Sequence, residues 1–194
     1  QKETKEDQEM NFKEQYLLGL CDIDHIEACI ERWHQLPEDG VSIIDYLGLT
    51  TEEYDVFLQT DLSHSFRELL DSQRRHQRYR IYQLDFESGK TIPYAFAGVS
   101  ALRKAGYEQP PAADYRLVYD GELICPKEQA AEEVLEHIFK CFSDTLPSGY
   151  PGRNVSASDV VELYGDGIRT YYYRDTAGFV PVKFSPMLAK PMKK

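Results

Sequence analysis

The sequence predicts an α+β protein, in which an N-terminal helical subdomain is followed by a small, mainly antiparallel sheet with one long packed helix. Three observations carry this expectation. Apolar residues recur at three- and four-residue spacing as far as about residue 75, the spacing changes to alternation at Arg78, and three β-rich runs surround an Asp-Gly turn after Gly149. At 194 residues, 42% of them apolar and 28% charged, the chain suits one ordinary globular domain or two small ones. No apolar run approaches the ~20 residues that cross a bilayer. The opening QKETKEDQEM lacks the basic and apolar regions of a signal peptide, so a cytoplasmic protein with no membrane partner is expected. Beginning at Gln1, the chain reads as a processed product or a piece of something longer.

Residues 1–9 are polar without periodicity and are expected to fray. Phe12, Tyr16 and Leu20, joined by Leu17, place a first helix over 10–20. Asp24 is positioned to cap a second helix running to about Leu36, with Ile26, Cys29, Ile30 and Trp33 as its apolar stripe. Pro37, Asp39 and Gly40 stop it. Ser42 then caps a short helix that Gly48 closes, and Thr50 with Glu53 forms a capping box for the next. Ser63 caps a further helix to about Arg75, whose basic end SQRRHQR complements the negative pole of the helix dipole. The string WH…IIDYLGLTTEEY is similar to a small helical segment of plasmid- and phage-borne bacterial proteins that also occurs beside antitoxin-type regulators. A helix-turn-helix DNA reader is a poor match, because TEEYDVFLQT is acidic and offers no Arg, Lys or Asn to a groove.

From Arg78 the period is two, and RYRIYQLDF reads as a strand followed by the turn ESGK. PYAFAGVSALRKAG fits a short helix ended by Gly106, before a proline-rich loop. A second strand is expected over 115–123, with Asp120-Gly121 as a turn near its end. Residues 126–143 make the clearest helix, with Pro126 in its first turn and Ala131, Val134, Leu135, Ile138, Cys141 and Phe142 as its buried stripe. Strands over 160–164 and 168–173 pair through Asp166-Gly167, a last strand covers 179–184, and the basic tail 185–194 is expected to be mobile. The organisation is therefore an acidic helical domain over 1–77, an α+β domain over 78–184, and the tail.

Charge divides the chain at the same place. Residues 1–77 carry 18 Asp/Glu against 7 Lys/Arg, and residues 78–194 carry 15 of each, so the net charge of −11 lies wholly in the first part. Such a field repels a phosphate backbone, and no direct nucleic-acid binding is expected. It attracts basic surfaces, so the expected ligand is a protein, including a basic nucleic-acid-handling host protein, while the alternative reading is that the acidity serves only to keep the chain soluble. Glu52, Glu53, Asp55 and Asp61 are the candidate contacts on this side.

Few residues read as chemistry. Cys21, His25 and Cys29 recur every four residues, a spacing that on one helix could face a metal, but Asp22 and Asp24 place a helix boundary among them and no fourth ligand is evident. No metal, cofactor or catalytic residue is assigned. The four cysteines form no CxxC pair and read as reduced, mostly buried thiols. Ser156, Ser158 and Asp159 lack the surroundings of a serine nucleophile and suit a loop held by its own hydroxyl groups, with Asp159 placed to receive Arg153 or Arg174. Tyr171, Tyr172 and Tyr173 must alternate across a strand, leaving at least one exposed. Tyr150, Arg153, Asp159, Tyr171, Tyr173 and Arg174 are the candidate interaction residues of this half, since tyrosine beside arginine is favoured at interfaces.

The run GYPGRNVSASDVVELYGDGIRTYYYRDTAGFVPVKF, with RYRIYQL and YRLVYDGEL upstream, resembles the YodL-like domain over residues 78–184. Asn154 and Ala157 depart mildly from the family's commoner G-x-S-L-S-V-S-D-V-V loop. That family occurs in Firmicutes and on their mobile elements, often within larger accessory proteins. The resemblance therefore implies a mobile-element origin and transfers no catalytic residue. Two functions follow as expectations: a non-catalytic interaction module of a plasmid, conjugative transposon or phage, or an inhibitor of a host defence nuclease whose acidic helices mimic nucleic acid.

Overall fold

The computed structural model describes residues 10–37, 40–59, 64–143 and 146–193. The fraying expected of 1–9 and the roles of Asp39, Asp61 and Ser63 lie outside the described residues. Two compact units emerge, one of residues 1–76 with 123–128 and one of 77–122 with 129–194, so the dividing lines fall inside two long strands.

The helical unit holds α1 (Phe12–Leu17), α2 (His25–Trp33), α3 (Ile43–Leu47), α4 (Thr51–Gln59) and α5 (Ser65–Asp71). Local capping sets most of their starts. Asn11 and Glu14 make a reciprocal capping box on α1, Ser42 accepts from the Asp45 N–H at 3.1 Å on α3, and Thr50 and Glu53 exchange bonds of 2.8 and 3.2 Å on α4. Asp24 differs from expectation: its side chain makes no cap bond, and α2 begins on i→i+3 turns from Asp22 and Ile23. Phe12, Tyr16, Ile23, Ile26, Cys29, Leu47, Leu49, Phe66 and Leu70 form the core.

Glu53 is buried within this unit, where it completes its capping box, pairs with Lys13 Nζ at 2.7 Å and accepts from Gln73 Nε2 at 2.6 Å. Burial alone would raise its pKa, but Lys13 and Gln73 outweigh it and hold the carboxyl below its ordinary value. Nearby, the Tyr16 hydroxyl donates to Asp71 at 2.7 Å under the Arg74 guanidinium. Burial and Asp71 push that phenol up to about 12.

The second unit is a five-stranded sheet in the order β2-β1-β3-β4-β5, built from β1 (Arg74–Leu84), β2 (Tyr115–Pro126), β3 (Val160–Gly165), β4 (Ile168–Arg174) and β5 (Phe179–Val182). The pairs β1/β3, β3/β4 and β4/β5 are antiparallel. Asp166 and Gly167 both take positive φ, 50° and 79°, which is the type I′ turn whose twist matches a two-residue hairpin. Central β3 is covered on both faces, which explains why every residue of VVELY, Glu162 included, is buried. On one face Tyr79 packs on Phe142 and Arg174 on Phe139, both from α7 (Ala131–Ser143). On the other, Tyr82, Leu84, Val160 and Tyr173 pack with Tyr94 and with Leu102 of α6 (Val99–Lys104).

Four expectations are corrected. The basic run after α5 is strand, since Arg74 already belongs to β1 and the Lys127 N–H donates to the Gln73 carbonyl at 2.8 Å. β2 runs straight through Asp120-Gly121, where Asp120 is pinned by Arg80 at 2.9 Å rather than turning the chain. Pro126 closes β2, and α7 begins only at Ala131, with Cys141 exposed instead of within its buried stripe. The tail is not loose: the Lys190 N–H donates to the Tyr115 carbonyl at 2.8 Å and the Leu117 N–H donates to the Lys190 carbonyl at 2.9 Å, a parallel bridge on β2, and Lys190 pairs with Asp85.

Candidate functional site

The loop 146–159 precedes β3, and a polar cluster built on buried Gln83 and Asp159 holds it on the sheet. Its anchor is the Gln83 carboxamide, which acts as a stand-in peptide group: its oxygen accepts from the Arg153 N–H at 2.9 Å and its nitrogen donates to the Arg153 carbonyl at 2.9 Å. The same nitrogen lies 3.0 Å from Asp159 Oδ2. Close approach requires glycine beside it, because a Cβ on Gly152 would fall 2.5 Å from the Tyr150 hydroxyl and 2.7 Å from Gln83 Oε1.

Asp159 is wholly buried. It takes both ends of the Arg153 guanidinium, Nη1 on Oδ2 at 2.9 Å and Nη2 on Oδ1, and the Ser156 N–H at 3.0 Å. Desolvation outweighs these partners and raises its carboxyl to about 6. Ser156 Oγ accepts from Arg153 Nη1 at 2.6 Å.

Ser158 occupies the left-handed region at φ +80° and is fully buried. Its N–H donates to the Arg174 carbonyl at 3.0 Å, its carbonyl accepts from the Tyr115 hydroxyl at 2.9 Å, and its Oγ accepts from the Phe96 N–H at 3.1 Å. Phe96 is itself strained at φ +56° yet 56% exposed, stacked on exposed Phe86 with centroids 5.7 Å apart. Arg153 lies over the Phe96 ring, 4.7 Å from its centroid.

Beside these rings opens a cleft of about 180 Å³, floored by Leu84, Leu117 and Val118 and walled by Phe86, Arg116, Arg153 and Lys193. Arg116 reaches Asp85 at 3.0 Å and Glu87 at 2.8 Å. Two atoms of this region are buried with no hydrogen-bond partner, Arg153 Nε and the Tyr150 hydroxyl.

The candidate residues are thus only partly brought together. Tyr150, Arg153 and Asp159 share the loop, and Asp159 receives Arg153 rather than Arg174. The Arg174 guanidinium is buried between Phe139 and Phe179 and paired with Glu136 at 2.8 Å, so it joins β4 to α7 instead of presenting a surface. Tyr173 is buried with its hydroxyl on the Ala97 carbonyl, Tyr171 and Tyr172 are half-buried, and so none of the three tyrosines is exposed. Glu53 is likewise inside its own unit, whereas Glu52 and Asp55 are exposed on α4. The His25–Cys29 pair meets the Arg32 guanidinium at 3.2 Å on each side, and Cys21 precedes the helix that carries them.

Sequence reasoning missed Gln83, Phe86 and Phe96, and also Glu162. The last is fully buried, accepting from Tyr82 at 2.8 Å and Tyr171 at 3.3 Å, with Arg80 and Arg169 each 3.6 Å away. The one available signal was a glutamate inside an otherwise apolar strand, a position that demands partners.

A family model described as the YodL-like domain matches residues 78–184. No curated protein and no solved structure matches the chain.

Proposed function

We propose that the chain, which belongs to the YodL-like domain family through residues 78–184, is a non-catalytic protein-interaction module of a bacterial mobile genetic element that binds a basic partner through its helical unit. One observation carries the reading. Among the described residues between 10 and 76, nine carboxylates are exposed, Glu27, Glu31, Asp45, Glu52 and Asp55 among them, against a single exposed Lys or Arg side chain, Arg32. Lys13 and Arg74 are already engaged with Glu53 and Asp71. A field of this sign accelerates encounter with a cationic surface and opposes approach to a phosphate backbone. On α4 it meets an apolar contact, since Glu52, Asp55 and the 63%-exposed Leu58 follow one another at helical spacing.

A non-catalytic role is supported by the loop chemistry: Ser156, Ser158 and Asp159 spend their side-chain oxygens on Arg153, Phe96 and Gln83. The mobile-element setting is the expectation that the family brings. A second reading, inhibition of a host defence nuclease, is favoured by the same exposed α4 carboxylates, which could stand where phosphates bind. Both readings are tested by capturing partners from a Firmicutes lysate with the full chain and with Glu52→Lys/Asp55→Lys, at low and high salt. A basic partner lost by the variant and shed at high salt supports the proposal, and a nuclease inhibited in the bound state selects the second reading. A partner held equally by the variant and by high salt overturns both.

A further inference from the structure

The structure maintains two exposed phenyl rings at a strained place, and nothing in the helical unit's charge accounts for them. Phe96 at φ +56° is held by Ser158, whose own left-handed backbone is fixed by Tyr115 and Arg174. Left-handed residues other than glycine persist only where surrounding contacts over-determine them, and they concentrate at functional sites. Here the product of that arrangement is a stacked pair, Phe86 on Phe96 within 17° of parallel, of which Phe86 lines a cleft.

From this we infer that the cleft is a binding site for a nucleoside 5′-phosphate. The base stacks on Phe86, which Phe96 backs, the sugar lies on the apolar floor, and the phosphate meets Arg116 and Lys193. Four cations, Arg116, Arg153, Lys190 and Lys193, face three carboxylates, Asp85, Glu87 and Asp159, so the site is locally positive on a chain of net charge −11. Glu87, the exposed partner of both Arg116 and Lys193, is the group a phosphate replaces; once displaced it reaches water at little cost. The volume suits a single nucleotide, and the chain's overall charge opposes a longer strand.

The test is NMR titration of the full chain with adenosine monophosphate, adenosine, inorganic phosphate and a ten-nucleotide single strand. Binding of the monophosphate at concentrations below about 10 mM is expected, with shifts at Phe86, Arg116 and Lys193. Adenosine and phosphate alone are each expected to bind about tenfold more weakly, as is the monophosphate to Phe86→Ala or Lys193→Ala, both exposed positions that leave the core intact. Absence of shifts with the wild-type chain, equal binding of phosphate alone, or binding of the strand without the monophosphate would each overturn the proposal. The readout is independent of any protein partner of the helical unit.

Discussion

Replacing Ser158 by glycine and by alanine separates backbone strain from hydrogen bonding at the position that positions Phe96. Both variants lose the hydroxyl that accepts the Phe96 N–H at 3.1 Å, a loss of about 1–2 kcal/mol. Alanine keeps the left-handed strain of φ +80°, whereas glycine relieves about 1–2 kcal/mol of it. The unfolded chain with glycine is freer, which takes back about 0.4–1 kcal/mol. Ser158→Gly is therefore expected to be more stable than Ser158→Ala by about 1 kcal/mol, or about 2–4 °C in Tm for a chain of this length. Denaturant unfolding followed by tyrosine near-ultraviolet circular dichroism measures the difference. A glycine variant no more stable than the alanine variant would refute the strain argument.

Further outcomes follow from the buried polar groups. Gln83→Met leaves the Arg153 N–H and carbonyl unpaired, with an expected loss of about 1–3 kcal/mol and faster hydrogen exchange at Arg153; unchanged exchange would show that the loop does not depend on this carboxamide. The Glu53 pKa is lowered in the folded state, so its contribution to stability is complete above the ordinary glutamate range and is lost as pH falls through the folded value. Glu53→Gln is expected to cost about 2–3 kcal/mol at neutral pH and to flatten the acid limb of the helical melt, read by far-ultraviolet circular dichroism between pH 3 and about pH 7. For Asp159 the sign is opposite: its carboxyl is raised to about 6, so its contribution to stability weakens as pH rises from the ordinary aspartate range through about 6. A carbon-13 titration of Asp159 should show its midpoint near 6, and a midpoint in the ordinary range would mean that Arg153 compensates its burial in full.

Features set by neighbours in sequence were legible before the structure. The capping box at Thr50, the Asp166-Gly167 hairpin and the apolar stripe of α7 each depend on residues two to four apart. What distance in sequence decides was not legible. Glu53 reads locally as a cap and an exposed acid, but Lys13, 40 residues before it, and Gln73, 20 after, take it into the interior. Gln83 reads as one more alternating strand residue, and only folding brings it to Arg153, 70 residues on. The turn chemistry of Asp120-Gly121 yields to strand pairing and to Arg80, and the tail's proline-punctuated polarity hides the Lys190 bridge to β2. The exposed carboxylates of α4 were visible in outline, whereas the stacked Phe86–Phe96 pair had no periodic signal, because it joins two separate turns through a strained residue.

The most direct measurement is quantitative capture from a Firmicutes lysate by the full chain, comparing wild type with Glu52→Lys/Asp55→Lys at about 0.05 M and about 0.5 M salt, where the screening length shortens from about 14 Å to about 4 Å. A basic protein enriched by wild type at low salt, and depleted at least tenfold by either the variant or high salt, is the predicted result. Enrichment that survives both changes would contradict the claim that the acidic helical unit is the interaction surface.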